Sequence, residues 1–155
     1  MEKTLVVAKQ FNELYKAENG CDMDQMRMHK MMYFAQRESL MYNKTLLFDA
    51  SFKGWKFGPV LTEVRSEYTT GKMFSDVTDS LSESARELVE SVYARYKSLS
   101  SWKLSSLSHG EMSWRCSREG LAPEENGNVK MKLANMKVDA ARELMRRKKE
   151  TAANK

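Results

Sequence analysis

The sequence predicts a mainly α protein, a compact bundle of about five or six helices with a small β element around Phe52 to Phe57. Three observations lead there. Apolar residues recur at helical spacing along most of the chain. Strong helix formers fill Asp24 to Tyr42 with no β-branched residue between them. A single aromatic run, Phe52-Lys53-Gly54-Trp55-Lys56-Phe57, reads as extended and turns sharply at Gly58-Pro59.

The elements follow in order. Val7, Ala8, Phe11, Leu14 and Tyr15 mark one face of a first helix from about Thr4 to Ala17, stopped by Asn19-Gly20. Asp22 or Asp24 can cap a second, reaching to about Tyr42 with few purely polar turns, which predicts a central position. After the aromatic strand, Pro59 suits a first helical turn, where its missing N–H costs nothing. A third helix is therefore expected from the Gly-Pro corner to about Thr69, with Val60, Leu61, Val64 and Tyr68 on one face. Residues 70–79 read as a loop.

Ser80 with Glu83, or Ser84 with Glu87, offers capping-box spacing for a fourth helix carrying Leu81, Ala85, Leu88, Val89, Val92 and Tyr96. Ser100 or Ser101 can cap a short helix bearing Trp102, Leu104 and Leu107 and ending near Ser108-His109-Gly110. Residues 118–128 are expected to be loop. Val129, Met131 and Leu133 alternate with lysines and predict a short strand able to pair with the aromatic one. A last helix is predicted from about Lys137 to Lys149, burying Val138, Ala141, Leu144 and Met145. Thr151 to Lys155 are expected as a disordered tail.

A chain of 155 residues fits one domain, here 1–150, large enough to need no staples. Cys21 and Cys116 lie far apart in no paired-ligand spacing, and nothing at the N-terminus reads as a signal peptide, so a cytoplasmic setting is expected. No apolar run approaches the roughly 20 residues that span a bilayer. Of the net charge of +5, +4 falls between Lys137 and Lys155, leaving the body nearly neutral. Such an end is most simply a solvated helix terminus favouring the helix dipole, and otherwise a surface for nucleic acid or an acidic protein patch.

The sequence carries no Walker-type loop, GxGxxG, HExxH, GxSxG or paired-cysteine zinc signature. A general base would have to be His29 or His109. His29 sits in a methionine-rich helix and reads as a rim residue, whereas His109 follows a helix end and reads as packing on a neighbouring ring or binding terminal carbonyls. A zinc site from Cys21, His29, His109 and Cys116 has enough ligands but unfamiliar spacing. No catalytic residue, metal or cofactor is expected. Six methionines between Met23 and Met41 read as core before they read as an adaptable groove. Trp55, Trp102 and Trp114 suit either a core or an interface.

Three segments together resemble the Panacea domain, the SocA-like family of bacterial and phage antitoxins. The first is Met28-His29-Lys30-Met31-Met32-Tyr33-Phe34-Ala35-Gln36. The second runs from Leu47-Phe48-Asp49 through Trp55-Lys56-Phe57-Gly58-Pro59-Val60 to Val64 and Tyr68. The third is Leu107-Ser108-His109 followed by Trp114. Methionines stand where leucines are usual in the family, Phe57 and Ser108 where Tyr and Thr are common, and the final helix lacks the aromatic ending often seen.

The resemblance implies binding rather than turnover: a helical domain that holds a cognate toxin protein in an inactive complex, as a homo-oligomer or a hetero-oligomer with the toxin, with no enzymatic activity of its own. Second to this, it admits an adaptor that delivers the toxin to a Clp-type protease. A nucleic-acid-binding regulator using the basic last helix, and an enzyme with His109 as base, are the other readings. The residues expected to meet a partner are Trp55, Lys56 and Phe57 in the aromatic run, Tyr68 beyond it, His109 and Trp114 in the third segment, and Arg146 and Arg147 in the last helix.

Overall fold

The computed structural model describes residues 1–154. Among these, seven helices and a two-stranded antiparallel sheet form a mainly α fold, and no helix is long and apolar enough to cross a membrane. Helix α1 (Thr4–Asn19) ends at Gly20, whose φ of 74° is the left-handed cap that glycine favours. Helix α2 (Gln25–Tyr42) is capped by Asp24, which accepts from the Arg27 N–H at 2.9 Å. Every residue from Met28 to Met41 is buried, so Met28, Met31, Met32 and Met41 are core, as is Met23, whereas Met26 is exposed.

A helix buried on all sides must satisfy its polar side chains from its neighbours. Gln36 donates to the Phe48 carbonyl at 2.8 Å and accepts from the Leu47 N–H at 2.7 Å, and Ser39 donates to the Thr45 carbonyl at 2.8 Å. These bonds hold the chain after α2 against it.

The aromatic run forms a hairpin rather than a strand feeding a helix. Strand β1 (Lys53–Trp55) pairs antiparallel with β2 (Gly58–Val60) in the register Lys53↔Val60, Gly54↔Pro59, Trp55↔Gly58. Pro59 therefore sits in a strand, not in a first helical turn. It is tolerated because β2 is an edge: the other side of β1 is the side bridged by residues 129–131. That third segment supplies one bridge, Lys53↔Lys130, with N–H···O distances of 2.9 Å from Gly54 to Val129 and 2.8 Å from Met131 to Phe52. Helix α3 (Thr62–Thr70) starts only after Leu61.

Helix α4 (Glu83–Tyr96) is capped by Ser82, not by Ser80 or Ser84. The choice is tertiary, since the Glu2 carboxylate accepts from both the N–H and the hydroxyl of Ser82, at 3.1 and 3.2 Å. Helix α5 (Ser101–His109) has the Ser100 cap. A further helix, α6 (Met112–Ser117), has no cap of its own. The carboxylate of Asp139 supplies one from 27 residues away, accepting from the Met112 and Ser113 N–H groups at 2.8 Å each.

Helix α7 runs from Leu133 to Ala153, four residues earlier than expected and through part of the stretch expected to be a disordered tail; Lys155 lies outside the described residues. Its buried face is also rotated from the expected one. Met136, Asp139, Ala140 and Arg147 turn inward, while of the expected set Leu144 is half-buried and Val138, Ala141 and Met145 are exposed. Charge pairing selects this face. Arg147, 8 % exposed, makes a two-pronged pair with Glu38 of α2 at 2.6 and 3.0 Å, and also bonds Glu143 and the Tyr96 hydroxyl. Beside it, Arg37 of α2 pairs with Glu111 at 2.8 Å and donates to Tyr96 at 2.9 Å, and Tyr33 donates to Glu111 at 2.6 Å.

Burial raises the Glu111 carboxyl against the pull of Arg37. Glu143 resolves the other way: burial would raise it, but bonds from Arg146 and Arg147 and the charge of Arg37 hold it down to about 2. A carboxyl depressed in the fold contributes stability above its unfolded value and loses it as pH falls toward the folded one. This network predicts a sharp asymmetry between adjacent arginines. Arg147→Met strands a buried carboxylate and should cost about 3–5 kcal/mol in urea unfolding, whereas Arg146→Met, at an exposed pair, should cost about 1 kcal/mol or less. Equal costs would contradict it.

Candidate partner-binding site

The Lys56-Phe57 turn of the hairpin stands over the N-terminal half of α2, and one lysine ties the two together. Lys30 is 2 % exposed, and its ammonium donates to the Phe57 carbonyl. Gly58 follows with φ 122°, and a Cβ there would lie 2.6 Å from Lys30 Nζ and 3.1 Å from Ser108 Oγ. Glycine is required twice over at this position, by backbone conformation and by the lysine packed against it.

The far side of the hairpin rests on α5 and α6. Trp114 donates its indole N–H to the Trp55 carbonyl at 2.8 Å, and its ring stacks on His109 with centroids 4.1 Å apart and planes within 2°. His109 thus packs on a ring, as the sequence indicates, and burial lowers its pKa. Arg118 donates to the Gly54 carbonyl at 3.3 Å and to the Glu125 carbonyl at 2.7 Å, tying the following loop to the strand. The hairpin is held from both faces.

Its solvent side opens a groove of about 410 Å³ between β1, β2 and the first turns of α2. Met26, Trp55, Phe57 and Val60 give it apolar walls; Lys30, Lys56 and Arg65 give it charge. Arg65 lies over the Trp55 ring at 5.0 Å, and Lys56 over the Phe57 ring at 5.2 Å, so aromatic faces hold both cations in place. His29, also lining the groove, is buried rather than on a rim. Its Nδ1 accepts from the Leu61 N–H at 3.3 Å, and burial, with the charges of Lys30 and Arg65, pushes its pKa down to about 3. Burial likewise pushes Lys30 down to about 8, with Asp24 pulling the other way.

An apolar strip continues from the groove along α5. Met26 is 40 % exposed and touches Ser105, its sulfur 3.9 Å from the hydroxyl, and one turn before Ser105 stands Trp102, 84 % exposed. Phe57, at the turn, is 59 % exposed.

Of the residues expected to meet a partner, Trp55, Lys56 and Phe57 come together here, with His109 and Trp114 directly behind as support. Tyr68 is half-buried and donates to the Met23 carbonyl at 2.6 Å, a structural bond. Arg146 and Arg147 belong to α7, where Arg147 is committed to the internal network and Arg146 to Glu143 and Glu150. The Cys21, His29, His109 and Cys116 set does not assemble, since both cysteines are exposed and no metal-ligating cluster forms among the described residues. Lys30, Arg65 and Met26 were not singled out from sequence. Lys30 had a signal: it is a lysine in a helix stretch without a polar face.

The Lys30–Gly58 fit predicts that Gly58→Ala destabilises the protein by about 1–3 kcal/mol in thermal unfolding. Gly120→Ala, where φ is 80° but a Cβ meets nothing within 4 Å, should cost less. Equal effects would remove the packing component.

All three sequence segments meet at this point: Lys30 from the first, Phe57 and Gly58 from the second, Ser108, His109 and Trp114 from the third. The family model described as antitoxin SocA-like, Panacea domain, matches residues 28–115, more than half of the chain and all of this junction. No curated protein and no solved structure matches. On its matched span and on the convergence of its motifs, this chain belongs to the SocA-like antitoxin family of Panacea domains.

Proposed function

We propose that this protein neutralises a cognate toxin protein by binding it directly, with the hairpin turn and the exposed face of α5 as the contact surface. Family membership supports a toxin partner and a non-enzymatic role. The observation that carries the choice of surface is the strip Phe57–Met26–Trp102, three large apolar side chains left in water on a scaffold pinned from both sides. Exposed aromatics on rigid elements are the side chains that dominate protein interfaces, and ordering them costs little on binding. Covering a toxin's active site, or holding it in an inactive conformation, needs one interface of ordinary size.

Delivery of the toxin to a Clp-type protease would begin with the same grip, and a protease-free assay separates the two. Nucleic-acid binding through α7 draws less support, because Arg146 and Arg147 are spent on carboxylates.

The test is neutralisation with purified components. A toxin encoded beside this gene should lose activity on mixing with a stoichiometric amount of this protein, no protease present. Phe57→Ser with Trp102→Ser should weaken the complex by about 2 kcal/mol or more, roughly thirtyfold, with unchanged circular dichroism. A saturated complex with full toxin activity would contradict direct neutralisation.

A further inference from the structure

The charges in this molecule are distributed unevenly in one telling respect. Of its other buried cations, Arg37 is neutralised by Glu111 and Arg147 by Glu38 and Glu143, while Arg118 is shared among four backbone carbonyls, those of Gly54, Ala122, Pro123 and Glu125. Lys30, equally buried, makes no ion pair among the described residues, and neither do Lys56 or Arg65. These three line the same groove, and none of the residues lining it is a carboxylate. Resting on the toxin-binding reading above, we propose that the groove receives an acidic-apolar segment of the toxin, an apolar side chain against Met26, Trp55 and Phe57 and an adjacent carboxylate at Lys30, Arg65 and Lys56.

The physical argument is one of desolvation already incurred. Burying an ammonium without a counter-ion is costly, and the fold accepts that cost at Lys30 with a single carbonyl acceptor, Phe57. An incoming carboxylate adds a charge-assisted bond to a lysine that the fold has already taken out of water. Burial lowers the Lys30 pKa, and a carboxylate in the groove would raise it. Arg65 and Lys56, fixed over Trp55 and Phe57, extend the positive field to the mouth, where it also speeds encounter. A basic segment would meet three like charges, and a neutral one would leave Lys30 as it is. At about 410 Å³, the groove has the size of pockets that enclose small ligands or a few side chains.

The experiment titrates the full chain, by nuclear magnetic resonance, with two pools of N-acetylated, C-amidated heptapeptides of identical Leu and Phe content. One pool carries Asp and Glu at its polar positions, the other Asn and Gln. The acidic pool should bind at least tenfold more tightly and shift the Trp55 indole resonance. Lys56→Gln with Arg65→Gln, which spares the buried lysine and hence the fold, should weaken acidic binding at least fivefold. Lys30→Met should abolish the acidic preference in protein whose circular dichroism is unchanged. Equal affinity for both pools, binding by neither, or an acidic preference indifferent to the rim variant would each overturn the proposal. If wild-type protein neutralises the toxin while the acidic preference is absent, the groove chemistry alone falls; if it fails to neutralise, the antitoxin reading falls.

Discussion

One constraint organises this protein: α2 is buried along fourteen consecutive residues, 28–41, yet carries His29, Lys30, Gln36, Arg37, Glu38 and Ser39 within that stretch. A helix of that composition is stable inside a core only if every neighbour brings a complementary group. The neighbours do so element by element. Segment 45–48 answers Gln36 and Ser39, α7 answers Glu38, Glu111 answers Arg37, and the hairpin answers Lys30. The arrangement of the other elements around α2 follows from where those partners must stand. Hydrophobic burial supplies most of the stabilisation, and the polar partners decide which packing is unique.

The two ends of α2 have been put to different uses. Toward its C-terminal half, Arg37 and Arg147 are each paired with carboxylates, drawn from Glu38, Glu111 and Glu143, and the Tyr96 hydroxyl accepts from both arginines. This network fastens α7 to α2, and the neighbouring Asp139 caps α6. Toward its N-terminal half, Lys30 is held by a carbonyl alone and sits beneath a groove whose rim is also cationic. The ion-paired charges of α2 lie toward one end and its unpaired lysine toward the other. A domain that works by holding another protein benefits from this separation, because the contact surface need not loosen the core.

Local signals in the sequence were sufficient for three of the seven helices among the described residues. Asp24, Ser100, Asn19-Gly20 and the apolar spacing mark α1, α2 and α5 because each cap and each face is set by neighbours in the chain. Where partners come from far away, the same reading goes astray. Ser82 caps α4 because Glu2 holds it, α6 starts because Asp139 reaches it, and α7 turns Arg147 inward because Glu38 waits there. Pro59 satisfied the rule for a first helical turn and equally the rule for an edge strand, and the register against Gly54 decided between them. At the site, Trp55, Lys56 and Phe57 were legible as an aromatic, basic run. Trp102 has a local signal of its own: it lies two residues and thus about 200° around the helix from the buried Leu104, which points it to solvent. Lys30 was legible only as part of a motif, since its role depends on a carbonyl 27 residues away.

The central claim is that this protein acts through the hairpin and α5 surface while the α2–α7 network stays a passive frame. Hydrogen exchange of the purified protein with and without its toxin tests that directly. Added protection should fall on residues 55–58 and 101–106, with α7 unchanged. Protection confined to α7, or none at the hairpin, would contradict the account.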